Sequence, residues 1–178
     1  IPNLRTLEVG CGTANYITAL QSQLGHAWGI DPSKEMLQQA QVRSPPVLLC
    51  QGRAEQLSFQ ACSFDLVFSV DVIHHTYDPL AYYQEANRVL GNNGRICTAT
   101  DSAWIIRHRH PLSTYFPETI AHELSRYPRI PDLKRMMSFA GFAKIATRTT
   151  EYTFSISDIQ AYRDKAFSAL HLIPENVF

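Results

Sequence analysis

A chain of 178 residues suits one domain with a substantial core, and 45% hydrophobic with 18% charged residues is ordinary for a globular protein. Sixteen basic residues balance sixteen acidic ones, which argues against a general nucleic-acid or membrane-surface binder. No apolar run approaches the roughly 20 residues of a membrane-spanning helix and no secretory leader is visible, so a cytoplasmic protein is expected. Residues 4–9 (LRTLEV) read as a first strand. Ala14, Ile17, Leu20 and Leu24 then fall on one face of a helix that Gly25 ends. A second strand covers roughly 26–30. Asp31-Pro32-Ser33 opens another helix, with Ser33 as N-cap and Met36, Leu37 and Ala40 facing inward. Ser44-Pro45-Pro46 breaks it, and 47–50 forms a short buried strand.

Gly52–Leu57 reads as a loop, and residues 64–70 (FDLVFSV) as a central strand, being too short for a helix and rich in β formers. Asp78-Pro79 caps a helix carrying Leu80, Tyr83, Ala86 and Leu90 at helical spacing. Gly91–Gly94 turns the chain into a strand over 95–100. Strands alternating with helices predict a Rossmann-like, doubly wound α/β sheet, mainly parallel, with helices on both faces and ligands at the carboxyl ends of the strands. The character changes near Asp101. Residues 102–131 hold four prolines, four aromatic residues and the run Arg107-His108-Arg109-His110, which reads as a lid of short helices and loops after the fifth strand. A helix over 132–140, an alternating edge strand over 142–154 and a helix over 157–172 complete the pattern, the last with Ile159, Tyr162, Ala166 and Leu170 on one face. The expected organisation is one domain over 1–178: a cofactor-binding core over 1–101, the lid over 102–131, and final elements over 132–178.

The chemistry starts at Leu7-Glu8-Val9-Gly10-Cys11-Gly12-Thr13-Ala14-Asn15. A strand, a turn with glycines at alternate positions and a helix present backbone amides to a bound group. Asp31 follows Gly12 by 19 residues at the end of the second strand, where a carboxylate meets a ribose diol. Together they predict a nucleotide-like cofactor. The third glycine of a dinucleotide fingerprint would fall on Asn15, so a nicotinamide oxidoreductase is disfavoured. The four cysteines lack C-x-x-C spacing and read as reduced thiols, Cys11 contributing its backbone rather than its sulfur; no metal site is expected.

Glu8 to Ala14 (E-x-G-x-G-x-A) resembles the first motif of class I S-adenosylmethionine-dependent methyltransferases, with Ala14 in place of the usual third glycine. Gly29-Ile30-Asp31-Pro32-Ser33, Gly52-Arg53-Ala54-Glu55, Phe64–Val70 followed by His74-His75, and Arg88–Arg95 continue the resemblance in order. The group they look like is the small-molecule type that includes the ubiquinone/menaquinone-biosynthesis-like enzymes, and the likeness is close over residues 4–101. It implies strand order 3-2-1-4-5-7-6, and further residues at both ends, since the family usually has an N-terminal helix and a last strand that is missing here.

Carried over residue by residue, Glu8 would sit near the methionine ammonium and Gly10, Cys11 and Gly12 would pass beneath the cofactor. Asp31 would hold the ribose hydroxyls, Pro32 and Met36 would pack near adenine, Ala54 and Glu55 would meet the adenine edge, and Ser69 and Val70 would line the methionine portion. His75 or His74 would be the general base or position the acceptor. Trp104, Tyr115 and Phe116 would form an acceptor pocket or the core of the lid. Arg107 and Arg109 would clamp an acidic acceptor or remain solvated. Plainer readings stand beside these: Glu8 pairing with a helix end, Asp31 only an N-cap, Glu55 a solvated acid, Met36 core. The implied function is methyl transfer to a small-molecule acceptor, with S-adenosylhomocysteine as product. The alternative is a non-catalytic cofactor-binding regulatory or assembly protein. The sequence is silent on oligomeric state.

Overall fold

The computed structural model describes residues 3–43, 47–150, 159–165 and 167–174. Every strand expected in the first hundred residues forms: β1 (Arg5–Val9), β2 (His26–Asp31), β3 (Leu48–Gln51), β4 (Phe64–Val70) and β5 (Leu90–Ala99). All pair in parallel, in the order β3-β2-β1-β4-β5. The chain winds outward from β1 in one direction and then, from β4, in the other. That reversal opens a crevice beyond the carboxyl ends of β1 and β4, where open α/β sheets bind ligands.

Helices α1 (Asn15–Leu24), α2 (Lys34–Arg43) and α3 (Pro79–Val89) make three of the four crossovers, and residues 52–63 carry the chain from β3 to β4 without a helix. Ala14 and Ile17 join Ala27, Ala40, Val47 and Phe68 in one apolar cluster. Two side chains expected on inward faces are instead exposed, Leu20 on α1 and Met36 on α2. Each helix spans only 10 residues, and a narrow contact with the sheet leaves the flank of its apolar stripe in water. Ser33 caps α2, its Oγ accepting from the Met36 amide at 3.2 Å. Asp78 caps α3 by accepting from the amides of Leu80 and Ala81.

β3 is an edge strand with Leu48 exposed, not a buried one. The turn expected at Gly91–Gly94 lies inside β5 as an irregularity, since the register jumps from Phe64↔Leu90 to Leu66↔Arg95. Parallel pairing tolerates the extra residues because Asn93 adopts φ +65° and the bulge absorbs them.

The chain divides into two compact units. The first comprises the sheet, its helices and Pro131–Ala143, including most of α7 (Ile130–Phe139), which is tied to α3 by the Asn87 amide donating to the Ala140 carbonyl. The second comprises Asp101–Ile130 and the residues from Lys144 onward. It holds α4 (Ala103–His108), α5 (Leu112–Tyr115), α6 (Glu118–Arg126) and α8 (Gln160–Arg163). Its apolar centre is Leu112, Leu170 and Ile173, flanked by Phe116 and Tyr162. A buried ion-pair network braces it: Glu123, 2% exposed, accepts from Arg109 and Arg126, and Arg109 also donates to Asp101 at 2.7 Å.

Two late expectations are corrected. Residues 142–150 form no strand, and 151–154 lie outside the described residues. Alternation makes a strand only where a neighbour supplies ladder hydrogen bonds, and β4 is the one described partner of β5. The helix expected over 157–172 is reduced to α8 and a 3₁₀ turn at Ser168–His171, because Lys165 at φ +49° interrupts it. Residues 157, 158 and Ala166 lie outside the described residues, as do Ser44, Pro45 and Pro46.

Candidate functional site

Beyond Val9 the chain leaves β1 and turns through Gly10, Gly12 and Ala14 at φ +71°, +53° and +61° before α1 begins. The amides of Gly10 and Cys11 both donate to the Ile30 carbonyl, at 2.8 and 3.1 Å, and seat the turn on the end of β2. Glycine is required at position 10 for a second reason. A Cβ there would lie 2.3 Å from Cγ2 of Val72, in the loop leaving β4. At Gly12 a Cβ would meet nothing within 4 Å, so this face of the turn is open.

Asp31 is 9% exposed and links the turn to the start of α2. Its Oδ2 accepts from the Gly12 amide at 2.8 Å and its Oδ1 from the Ser33 amide at 2.9 Å. A carboxylate oxygen has room for two donors, so each keeps accepting capacity. Glu8, 1% exposed, accepts from the Ile17 amide at 3.0 Å. The N-cap residue of α1, Ala14, has no side-chain cap, and Glu8 satisfies an orphan donor of that helix from the neighbouring strand. Burial pushes the Glu8 carboxyl up to about 7, against the hydrogen bond that lowers it. The helix-end pairing weighed for Glu8 is therefore present. Burial likewise pushes the Cys11 thiol up to about 12, and its sulfur packs where Gly29 has no side chain.

The remaining expected contacts are distributed unevenly. Pro32 is exposed, with its carbonyl accepting from Gln51, and Met36 is 44% exposed on the first turn of α2. Ala54 sits in the turn closed by the Arg53–Gln56 bridge. Glu55 accepts from the Tyr77 amide at 2.7 Å and from Arg53 at 3.4 Å, so its carboxylate pins the loop after β4. Burial raises its pKa, but the backbone hydrogen bonds and Arg53 outweigh that and hold it below the usual range. Ser69 turns away from the crevice into the core, accepting from the buried Tyr82 hydroxyl at 3.1 Å. Val70 is half-buried at the end of β4. Asp71 follows at φ +55°, its amide donating to Ala99, and Val72 then covers Gly10. Sequence reading passes over both, because an aspartate and a valine leaving a strand carry no local mark.

His74 and His75 lie in a 3₁₀ turn, Ile73–His75, their ring centroids 4.0 Å apart. In the second unit Trp104 is exposed and stacks on His108 at 4.5 Å, and Tyr115 is exposed beside His110. Neither joins that unit's core, whereas Phe116 packs against its apolar centre. Arg107 donates to the Ala103 carbonyl, while Arg109 is consumed by Asp101 and Glu123 and does not pair with it as a clamp. Among the described residues no group of three or more His, Cys, Asp or Glu is placed to hold a metal ion. No helix among them is long and apolar enough to cross a membrane.

The sequence profile of a family described as a methyltransferase domain matches residues 7–98, over half of the chain. The chain belongs to this methyltransferase-domain family. The matched span runs from within β1 through most of β5 and contains the glycine turn, Asp31 and both histidines. Demethylmenaquinone methyltransferase of Staphylococcus aureus (strain JH9) is 27% identical over 169 residues, covering 82% of this methyltransferase-domain chain and 70% of the relative. Among solved structures, an S-adenosylmethionine-dependent methyltransferase of Thermotoga maritima, a possible histamine N-methyltransferase, is 26% identical with a TM-score of 0.65. The alignment covers 81% of this chain and 66% of that one. A putative methyltransferase from an antibiotic biosynthesis pathway of Anabaena variabilis is 28% identical with a TM-score of 0.68, over 79% of this chain and 56% of that one. The chain thus spans two thirds or less of these two solved relatives. Its fold is the Rossmann-like sheet of class I methyltransferases, and the cofactor of this class is S-adenosylmethionine.

Proposed function

We propose that this protein transfers the methyl group of S-adenosylmethionine to a small-molecule acceptor in the cytoplasm, by in-line displacement governed mainly by positioning. The observation that carries the reading is the bond between Asp31 and the Gly12 amide, which sets a carboxylate with spare accepting capacity at the rim of an open glycine turn. That arrangement fits a ribosyl cofactor: Asp31 holds the hydroxyls, Gly12 leaves the backbone uncovered, and the exposed Met36 and Pro32 flank the adenine. Ala54 meets the adenine edge through its backbone. Glu55 acts indirectly here, by holding the loop that follows β4. Glu8 supports the turn through α1, on the strand that leads to the methionine end. Ser69 fixes the end of β4 through Tyr82 rather than by touching the ligand.

When bound, the cofactor supplies a methyl group made electrophilic by its sulfonium. Alignment of two reactants by the protein is worth roughly 7–11 kcal/mol of the barrier. His75, or His74 beside it, takes the proton when the acceptor must lose one, a contribution of about 10²–10⁴-fold. Residues 102–131, which follow the fifth strand, serve as the lid that selects the acceptor. The likeness to the Staphylococcus aureus enzyme makes an acceptor of the demethylmenaquinone type the first to test.

The test is calorimetric titration of the protein with S-adenosylmethionine, S-adenosylhomocysteine and NAD, followed by methyl transfer to a panel of quinone-type and other small acceptors. Binding of the first two and not of NAD is expected. Asp31→Ala weakens that binding at least about tenfold, the scale of a lost hydrogen bond to a charged group. A folded protein that binds neither adenosyl compound would overturn the reading. Binding without transfer to any acceptor would favour the regulatory or assembly alternative.

A further inference from the structure

The second unit contains a cleft that the cofactor reading does not use. It encloses about 320 Å³ between α4, α6 and the segment after α6. Such a volume is at the small end of the roughly 300–1,000 Å³ typical of ligand pockets. Ala103, Ile106, Leu124 and Pro128 give it apolar walls, the Tyr127 ring adds a flat surface, and two guanidiniums, Arg107 and Arg129, complete the lining.

The charges around the cleft are unequal. Asp101 and Glu123, the carboxylates of the local network, are both engaged by Arg109, and Glu123 by Arg126 as well. Two positive and two negative groups close on themselves there. Among the described residues no carboxylate lines the cleft. Arg129 makes no ion pair or side-chain hydrogen bond among the described residues. Arg107 donates only to the Ala103 carbonyl of its own helix, an engagement of Nη1 that leaves its other donors available. An apolar cavity with two uncompensated guanidiniums matches a ligand that is apolar along its length and anionic at one end. Arginine stems pack on the apolar part while the planar forks donate paired hydrogen bonds to a carboxylate. Sequence reading joined Arg107 to Arg109. Tertiary packing uses Arg109 as a brace and brings Arg129, on the far side of α6 in the chain, to the cleft in its place.

We infer that the cleft between α4 and α6 is a binding site for a small amphipathic organic anion, an aromatic or aliphatic carboxylate, held by Arg107 and Arg129. The site is tested by binding alone and without S-adenosylmethionine, so its failure and the failure of the methyl-transfer reading are separately observable. The probe is 2-naphthoate, titrated calorimetrically into the whole protein beside its neutral analogue 2-naphthalenemethanol and inorganic phosphate. Naphthoate is expected to bind at least tenfold more tightly than either. Arg107→Met and Arg129→Met, which keep unbranched apolar stems, each weaken naphthoate at least fivefold and leave the alcohol unchanged. Should either variant misfold by circular dichroism, the wild-type salt series replaces it: naphthoate binding falls with added sodium chloride and alcohol binding does not. No naphthoate binding, equal affinity for acid and alcohol, indifference to both substitutions and to salt, or phosphate binding as tightly as naphthoate would each overturn the assignment.

Discussion

Glu8 carries a buried carboxyl whose pKa burial raises from 4.5 to about 7, and this makes it a pH-dependent element of the fold. The folded protein holds that proton more tightly than the unfolded chain. The stability it contributes is therefore complete below about pH 4.5 and is lost as pH rises through about 7. Glu8→Gln mimics the protonated form and still accepts from the Ile17 amide. Denaturant unfolding of both proteins at pH 5 and pH 8 is expected to show the wild type losing on the order of 3 kcal/mol relative to the variant across that interval. Equal differences at the two pH values would mean that Glu8 does not titrate in this range. At the same scale, Asp31 was legible from its spacing to Gly12, because one turn can bring the end of β2 beneath the glycines. The partners of Ser69 and Glu55 were not, because each lies on an element remote in the chain: Tyr82 on α3 and Tyr77 in the loop before it.

At the scale of the element, the glycine turn separates folding from binding. An alanine at either glycine must adopt a left-handed conformation, at a cost of about 1–2 kcal/mol. At position 10 the new methyl also overlaps Val72, so Gly10→Ala is expected to cost more than about 2 kcal/mol and to lower the melting temperature clearly. At position 12 the methyl enters open space, so Gly12→Ala leaves stability within about 1–2 kcal/mol of the wild type while abolishing S-adenosylmethionine binding. Thermal melts and calorimetric titration of the two variants check the contrast, and a Gly12→Ala protein that binds normally would remove the turn from the site. Helix identities in the first hundred residues follow from a period of 3.6, and strand identities from short apolar runs rich in β formers, both of which each segment carries by itself. The same logic fails over 142–150, where alternation is present and a pairing neighbour is not.

For the molecule as a whole, the second unit depends on charge pairs rather than on a sheet. Glu123 is almost fully buried and faces both Arg109 and Arg126. Removing it by Glu123→Ala leaves two partly buried guanidiniums short of a partner, at a cost of about 3 kcal/mol. Hydrogen exchange is expected to show amides of α4 and α6 losing protection while those of β1, β2 and β4 retain theirs. Uniform loss across both units would mean instead that they open as a single cooperative body.

The sequence alone determined that this is a parallel α/β sheet with a glycine turn at its first strand and an acid at the end of its second. Those properties are local: they reside in spacing, in backbone freedom at two glycines and in runs short enough to be one strand. Tertiary structure decided which charged and polar side chains are spent on the fold and which are left for a ligand. Glu8, Ser69, Glu55 and Arg109 carry the residue types of a binding site and are engaged by protein groups, while Asp31, Arg107 and Arg129 retain capacity. That distinction depends on partners contributed by other parts of the fold, and which of them a side chain meets is decided only when the chain has packed.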